Sequence, residues 1–281
     1  MRFFFLNGKF VKEKDAKIDV NDLGLLRGYG VFDYLRTYDR ILFHFDDHIF
    51  RFFNSAKKMN LKVPYSKEEI KKIFYQLIKK NENLSEFSFR IVLTGGRSSD
   101  GKTSKDQTFF IIVDKSHIYP KLSYKKGIKL ITLNYLREFS EIKSLNYAMA
   151  ISNWEKILKK GAQEILYISD RNIVSECSTS NFFIVKKKIL YSPRTNVLNG
   201  ITKKVVVSLA KKSRFKIIEK DLFLKEALSS DESFITSTDK EILPVVKIDN
   251  FKIGNGKVGE VTTELMKVFN EYIVKYVDKN K

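Results

Sequence analysis

Only one cysteine, Cys177, occurs in 281 residues, so no internal disulfide can form. His44 and His117 show no metal-ligand spacing, and no metal is assigned; His48 reads as a structural residue rather than an acid or base. No apolar stretch approaches the ~18 residues a membrane-spanning helix needs. The N-terminal run Phe3-Phe4-Phe5-Leu6 is too short for the apolar part of a secretory signal. It is broken at once by Asn7-Gly8-Lys9, a tight-turn sequence. There is no internal repeat, no low-complexity segment and no basic tail. These absences lead to the expectation of a cytoplasmic protein with no membrane partner. Acidic residues are scarce, 33 against 52 basic ones, which leaves a net charge of +19. The lysines are spread along the whole chain, as in Lys57-Lys58, Lys79-Lys80, Lys186-Lys187-Lys188 and Lys211-Lys212. They accompany helix periodicity or turns, which is the pattern of solvated faces, so no nucleic acid is expected as a partner.

A hydrophobic content of 43% with 13% aromatics describes a folded chain long enough to bury a sizeable core. Strand signals dominate the first part. Phe3–Leu6 and Phe10–Val11 read as a hairpin. From Val31 to Tyr38 the residues alternate, with Phe32, Tyr34 and Arg36 on one face and Val31, Asp33 and Leu35 on the other. Asp46-Asp47 opens a helix, and Ser66 followed by Glu69 is a capping box for the next, through about Lys80. Phe87–Thr94 and Thr108–Val113 read as strands around a polar loop at 95–101. Residues 114–123 contain Pro120, lack a clear period and read as a linker. Beyond it come a strand at Ile128–Leu133, a helix from Ala148 to Lys160, and strands near 164–168, 173–174, 181–185 and 189–191. Helices follow at Ile201–Lys212 and Val258–Tyr276.

Four features carry chemistry. Lys143 lies in Ile142-Lys143-Ser144-Leu145-Asn146-Tyr147. A carboxylate, Glu176, sits inside the hydroxyl cluster Ser175-Glu176-Cys177-Ser178-Thr179-Ser180-Asn181. Gly200-Ile201-Thr202 opens a helix, and Thr236-Ser237-Thr238 ends a strand. An amine, a lone carboxylate and two anion-friendly turns are the parts that hold pyridoxal phosphate. A lysine amine condenses with the aldehyde and later moves the substrate's α-proton. A carboxylate facing the pyridine nitrogen keeps it protonated. The phosphate dianion suits helix N-terminal N–H groups, hydroxyls and an arginine.

With these residues the chain resembles the fold-type IV (class IV) pyridoxal-phosphate aminotransferases. That group includes D-amino acid, branched-chain and R-selective amine aminotransferases and aminodeoxychorismate lyase. The resemblance runs from Asn7-Gly8-Lys9 to Gly256-Lys257-Val258-Gly259. It is strongest toward D-amino acid aminotransferases, through Lys143-Ser144-Leu145-Asn146, Phe234-Ile235-Thr236-Ser237-Thr238 and Glu241-Ile242-Leu243-Pro244-Val245. It implies an α+β, two-domain fold: a small α/β domain over 1–113, a linker over 114–123 and a larger pseudo-barrel domain over 124–281, with the cofactor between the domains. It also implies a homodimer. Lys143 would bond the cofactor and Glu176 would face the pyridine nitrogen. Arg51, in Asp47-His48-Ile49-Phe50-Arg51, would bind phosphate with Ile201, Thr202, Ser237 and Thr238. Leu198 would lie under the ring, and Thr179 counts among the cofactor-binding residues. Cys177 stands where the family usually has glycine, which implies an unusual backbone angle or closeness to the cofactor.

An α-amino acid substrate brings a carboxylate, whose natural partner is an arginine. Arg27, Arg36, Arg90 and Arg97 are the candidates. Arg90 interrupts an apolar strand, where a charge is costly unless paired or functional. The substrate-binding set expected here is Arg27, Phe32, Tyr34 and Arg90. The plainer alternatives are an ion pair of Arg90 with Asp33 and of Arg51 with Asp47. D-amino acid aminotransferases carry an Arg-x-His carboxylate trap in the 95–101 loop; this chain has Arg97-Ser98-Ser99. Branched-chain members often carry a glycine pair after the lysine, absent here. Lyases have an arginine where Tyr147 stands. The resulting expectation is a transaminase of D-alanine and D-glutamate with α-keto acids. Its alternatives are a branched-chain L-amino acid aminotransferase and, more distantly, 4-amino-4-deoxychorismate lyase.

Overall fold

Two sheets organise the chain, and a computed structural model describes all residues from 1 to 281. One unit comprises Met1–His117 with Ile142–Asn146 and Val277–Lys281; the other comprises Ile118–Glu141 and Tyr147–Tyr276.

In the first unit, in chain order, are β1 (Phe3–Leu6), β2 (Lys9–Lys12), α1 (Leu23–Arg27), β3 (Gly30–Tyr38), β4 (Ile41–Leu42), α2 (Phe45–Lys58), α3 (Lys67–Lys80), β5 (Phe87–Thr94) and β6 (Phe109–Lys115). The strands form one sheet in the order β2-β1-β6-β5-β3-β4, antiparallel at each pairing. Alternation decides its faces. Val31, Asp33 and Leu35 are buried on one side, and Phe32 and Tyr34 lie half-buried on the other. The buried side packs with Phe52 of α2, Phe74 of α3 and Phe89 of β5. Full burial of each such side chain stabilises by roughly 1.5–3 kcal/mol. The expected capping box at the start of α3 is present: Ser66 accepts from Glu69 N–H and Glu69 from Ser66 N–H.

The second unit contains α4 (Lys121–Lys126), β7 (Ile128–Asn134), α5 (Ala148–Ser152), α6 (Trp154–Lys159), β8 (Glu164–Ile168), β9 (Ile173–Cys177), β10 (Asn181–Lys186), β11 (Ile189–Pro193) and α7 (Ile201–Lys212). After these come β12 (Ile217–Lys220), β13 (Leu222–Phe223), α8 (Leu224–Leu228), β14 (Glu232–Ser237), β15 (Glu241–Ile248), β16 (Phe251–Lys252) and α9 (Glu260–Asn280), whose last turn joins the first unit. Its mixed sheet runs β12-β11-β10-β14-β15-β7-β8-β9-β13, with β16 on β15. Strands β9 and β13 at one end approach β10 and β11 near the other, so the sheet curls into a nearly closed barrel. The expected α+β class with a small α/β unit and a larger pseudo-barrel unit is what forms.

The single helix expected from Ala148 to Lys160 is instead two. Asn153 breaks it: its side-chain N–H donates to the carbonyl of Met149 at 2.9 Å, and Ser152 Oγ reaches the same oxygen at 3.2 Å. Local side-chain bonds of this kind compete with the helix ladder.

Candidate active site

Lys143 belongs to the first unit. The segment Ile142–Asn146 lies beside the start of β3 as a short extra edge. Phe32 N–H donates to Lys143 O at 2.9 Å, Leu145 N–H to Gly30 O at 3.1 Å, and Ser144 bridges Val31. Lys143 N–H donates to Ser55 Oγ at 3.3 Å. The half-buried Lys143 side chain lays its Nζ over the Phe32 ring, 4.6 Å from the centroid. Main-chain pairing thus fixes the backbone, and a cation–π contact holds the amine.

Arg51 is one helical turn after His48 on α2, and both face Asp33 on the buried side of β3. Asp33 Oδ2 accepts from Arg51 Nε and Oδ1 from Arg51 Nη2, each at 2.8 Å. His48 Nδ1 lies 2.8 Å from Oδ1, and Tyr34 N–H donates to the same oxygen at 2.7 Å. Burial alone would raise the Asp33 pKa; Arg51 and the His48 hydrogen bond outweigh it and hold the carboxyl well below the usual range. Burial pushes the His48 pKa down, which keeps the ring neutral. Against an ionised carboxylate, a neutral ring must carry its proton on Nδ1. Asp47 Oδ2 lies 2.8 Å from His44 Nδ1.

The expected cost of burying Arg90 does not arise. Arg90 is opposite Tyr34 in the β3–β5 register, so it lies on the open face, exposed, with its guanidinium 5.9 Å from the Tyr34 ring centroid. Asp33 is on the other face, so the alternative Arg90–Asp33 pair is absent as well. The buried arginine of this face is Arg36, which stacks over Tyr38 at 4.4 Å. Arg27 is exposed at the end of α1. Its segment is anchored by fully buried Asp22, which accepts from Gly24 N–H at 2.7 Å, Thr94 Oγ1 at 2.8 Å and Thr108 Oγ1 at 2.6 Å. Arg97 is exposed, with Nε 3.8 Å from Asp19.

In the second unit, Glu176 is buried near the end of β9 and both its oxygens are engaged. Oε1 accepts from Arg137 Nε at 2.8 Å and Oε2 from Leu198 N–H at 2.9 Å. Arg137 also donates to Ser140 O at 2.6 Å. Leu198 is followed by the start of α7. Gly200 is the N-cap in an extended conformation and offers no side-chain cap to the amides of Ile201 and Thr202, both buried. A Cβ on Gly200 would collide with Oδ1 of Asn181, and Asn181 is held there by its bond to Leu198 O at 2.8 Å. The result is a polar cradle with helix-end amides that no side chain caps, a hydroxyl and no room for a side chain at Gly200. Ser237 and Thr238 end β14, half-buried, and Ser237 Oγ accepts from Lys240 N–H at 3.2 Å. A carboxylate, helix-end donors and hydroxyls are a donor set that fits a protonated ring nitrogen and a phosphate dianion.

Thr179 is committed elsewhere. Its hydroxyl donates to Glu164 at 2.7 Å and accepts from Lys240 Nζ at 2.6 Å. Lys240 and Glu164 form a buried ion pair at 3.1 Å, and Ser178 and Ser180 also donate to Glu164. Cys177 takes ordinary backbone angles, so no special conformation is demanded there. Burial pushes its thiol pKa well above the usual value. The sequence reading missed the pair of Arg137 with Glu176, and weighed Asp33 as a partner of Arg90 rather than of Arg51. No group of residues forms a metal site, and no helix is long and apolar enough to cross a membrane.

Residues 30–248 match the class IV amino-transferase family. A Methanocaldococcus jannaschii protein provisionally named a branched-chain-amino-acid aminotransferase is 36% identical, over 97% of this chain and 96% of its own. A D-alanine aminotransferase of Staphylococcus epidermidis is 32% identical, over 96% of this chain and 97% of its own. Among solved structures, a T.th. branched-chain amino acid aminotransferase with pyridoxamine 5'-phosphate superposes with a TM-score of 0.90 at 25% identity, over 97% of this chain and 94% of that one.

Proposed function

This chain belongs to the class IV aminotransferases, and from that premise we propose a cytoplasmic, homodimeric, pyridoxal-phosphate-dependent transaminase. Its substrates are branched-chain L-amino acids and α-keto acids. The bound cofactor supplies an electron sink for the pair left when the substrate's Cα–H bond breaks. Lys143 supplies the amine that holds the cofactor and carries the proton at Cα; its seat over Phe32 limits where Nζ can go. Glu176 holds the proton on the ring nitrogen. Leu198 supports the ring. Arg51, the N–H groups of Ile201 and Thr202, and the hydroxyls of Thr202, Ser237 and Thr238 receive the phosphate. Arg27, Phe32, Tyr34 and Arg90 meet the substrate. Thr179 serves as a brace to Glu164 rather than as a direct ligand, since its hydroxyl is already both donor and acceptor.

The observation that carries the cofactor reading is the linkage of Glu176 to Leu198 N–H. It sets the only carboxylate of the hydroxyl cluster two residues before an uncapped helix start. The substrate reading rests on the sheet face of the first unit. There Arg90 stands beside Tyr34, with Phe32, Val92 and Ile112 on the same face, an apolar wall that carries two arginines, exposed Arg90 and buried Arg36. Such a wall suits an aliphatic side chain, and Arg90 suits the carboxylate of a glutamate-type partner. Arg97, the loop arginine that would serve a carboxylate trap, leans to Asp19 on the surface. D-alanine and D-glutamate transamination is the second reading, supported by the staphylococcal relative. The test is a screen of L-leucine, L-isoleucine, L-valine, D-alanine and D-glutamate with α-ketoglutarate and pyruvate. Turnover of the L-branched set with α-ketoglutarate is expected. Turnover confined to the D-amino acids would replace the first reading by the second, and no turnover with any pair would reject both.

A further inference from the structure

We infer that Asp33 is a positioning residue that sets the direction in which Arg51 presents its guanidinium to the cofactor's phosphate. This rests on the phosphate role proposed above for Arg51. Asp33 is 0% exposed, at a position of β3 that points into the core of the first unit. Four donors converge on its two oxygens: Tyr34 N–H, His48 Nδ1–H, and Arg51 Nε–H and Nη2–H. Three of them meet Oδ1 and one meets Oδ2. Each donor fixes one degree of freedom. The Tyr34 amide comes from the strand itself, so the carboxylate is oriented by β3. His48 comes from the preceding turn of α2 and locks the carboxylate against rotation. Arg51 is then gripped at two points along one edge of its planar fork, which fixes both the plane and the outward edge. A side chain with several rotatable bonds is thereby held in one rotamer before any ligand arrives, and binding avoids that ordering cost.

Two other roles for Asp33 predict different results. A carboxylate that only neutralises a buried cation would affect stability and leave phosphate recognition alone. A purely Coulombic effect would run the opposite way, because the negative charge of Asp33 weakens the attraction of Arg51 for a dianion. Removing it would then tighten phosphate binding. Positioning predicts that removal loosens it.

The experiment uses full-length apo-protein and calorimetric titration with pyridoxamine 5'-phosphate and with pyridoxamine. The ratio of the two affinities isolates the phosphate from the ring. Asp33→Asn is expected to lower that ratio on the order of 10-fold, with pyridoxamine affinity unchanged. Arg51→Gln should lower it at least as far, and the double variant should be no worse than Arg51→Gln alone. An unchanged or increased ratio in Asp33→Asn overturns the inference, as does an independent, additive loss in the double variant. An unchanged ratio in Arg51→Gln rejects the phosphate role of Arg51 itself, a separate failure. Where Asp33→Asn does not fold, Arg51→Lys decides. Lysine keeps the charge but cannot be gripped at two points, so it should lose the ratio nearly as fully as glutamine. Retention of the wild-type ratio by Arg51→Lys overturns the inference.

Discussion

Replacing Lys240 by methionine should expose how much of the second unit's stability depends on one buried charge. Glu164 is 1% exposed and Lys240 6%, and they meet at 3.1 Å inside a shell of hydroxyls from Ser178, Thr179 and Ser180. Removing one partner of such a pair typically costs about 3–5 kcal/mol, because the other charge stays buried without compensation. Three hydroxyl donors remain on Glu164, which places the expected loss at the lower end, about 3 kcal/mol. In a chain of this size that is a fall of roughly 6–12 °C in Tm. The pH dependence supplies the sign. In the wild type, burial raises the Glu164 pKa, but Lys240 and the hydroxyls outweigh it and hold it below the ordinary 4.5. The pair's contribution is therefore present above that value and lost as pH falls through the lower folded value. Burial likewise lowers the Lys240 pKa, and Glu164 outweighs it and raises it above 10.5, so that contribution fades only in strong alkali. Without Lys240, burial dominates and the Glu164 pKa rises above its unfolded value. The Lys240→Met penalty should then be greatest at neutral pH and shrink toward pH 4, where Glu164 of the variant is largely protonated folded and unfolded alike. Urea unfolding of the apo-protein at pH 7 and pH 5 measures this, with Glu164→Gln/Lys240→Met completing the cycle. The double variant should recover most of the loss. A Lys240→Met penalty that is the same at both pH values, or below about 0.5 kcal/mol, would refute the reasoning.

Lys143→Ala should remove multiple-turnover transamination together with the visible absorbance of the lysine-bound cofactor; a variant that keeps both would dismiss Lys143 from the role. Glu176→Gln should still bind cofactor but slow each half-reaction in stopped-flow assays, since every unit by which the ring-nitrogen pKa falls removes about 1.4 kcal/mol of differential stabilisation from its protonated form. Gly200→Ala should weaken pyridoxamine 5'-phosphate binding on the order of 10-fold by displacing Asn181 and with it Leu198, read by calorimetry, and pyridoxamine should lose affinity as well because Leu198 supports the ring. Arg90→Ala should raise KM for glutamate and α-ketoglutarate far more than for L-leucine, and equal effects on all three would remove Arg90 from carboxylate recognition.

Local signals were legible wherever one segment contained its own evidence. Ser66 and Glu69 marked the start of α3, and the apolar spacing of Ile201–Lys212 matched α7 at both ends. The α5–α6 break was less visible, because it depends on the bond Asn153 makes to Met149 rather than on apolar spacing. Arg90 was misjudged because its apolar neighbours in sequence lie on the opposite face of β5, a matter of pairing register. Arg137 went unseen, and Asp33 was matched to the wrong arginine, for a different reason. Their partners, Glu176 and Arg51, are 39 and 18 residues away, and only strand pairing and helix packing bring them together. Neither residue stands in a motif that its own neighbours would reveal.

The short edge formed by Ile142–Asn146 has a bearing on how this chain can be cut and recombined. The chain returns for five residues to a sheet it had left at His117, so a boundary there separates the lysine from the strand it pairs with. Hybrids that join residues 1–117 of one relative to the remainder of another would therefore assemble this edge from two parents. Its main-chain bonds, Phe32 N–H to Lys143 O and Leu145 N–H to Gly30 O, make no demand on side chains and survive such an exchange. The side-chain fit does not transfer so freely. A Cβ on residue 30 would come within 2.6 Å of Leu145 Cδ1 and 2.8 Å of Leu93 O, so glycine at 30 is demanded by β5 of its own parent and also makes room for a leucine at 145 from the other. Phe32 and Lys143 meet across the same join, since the ring that seats the amine would come from one parent and the amine from the other.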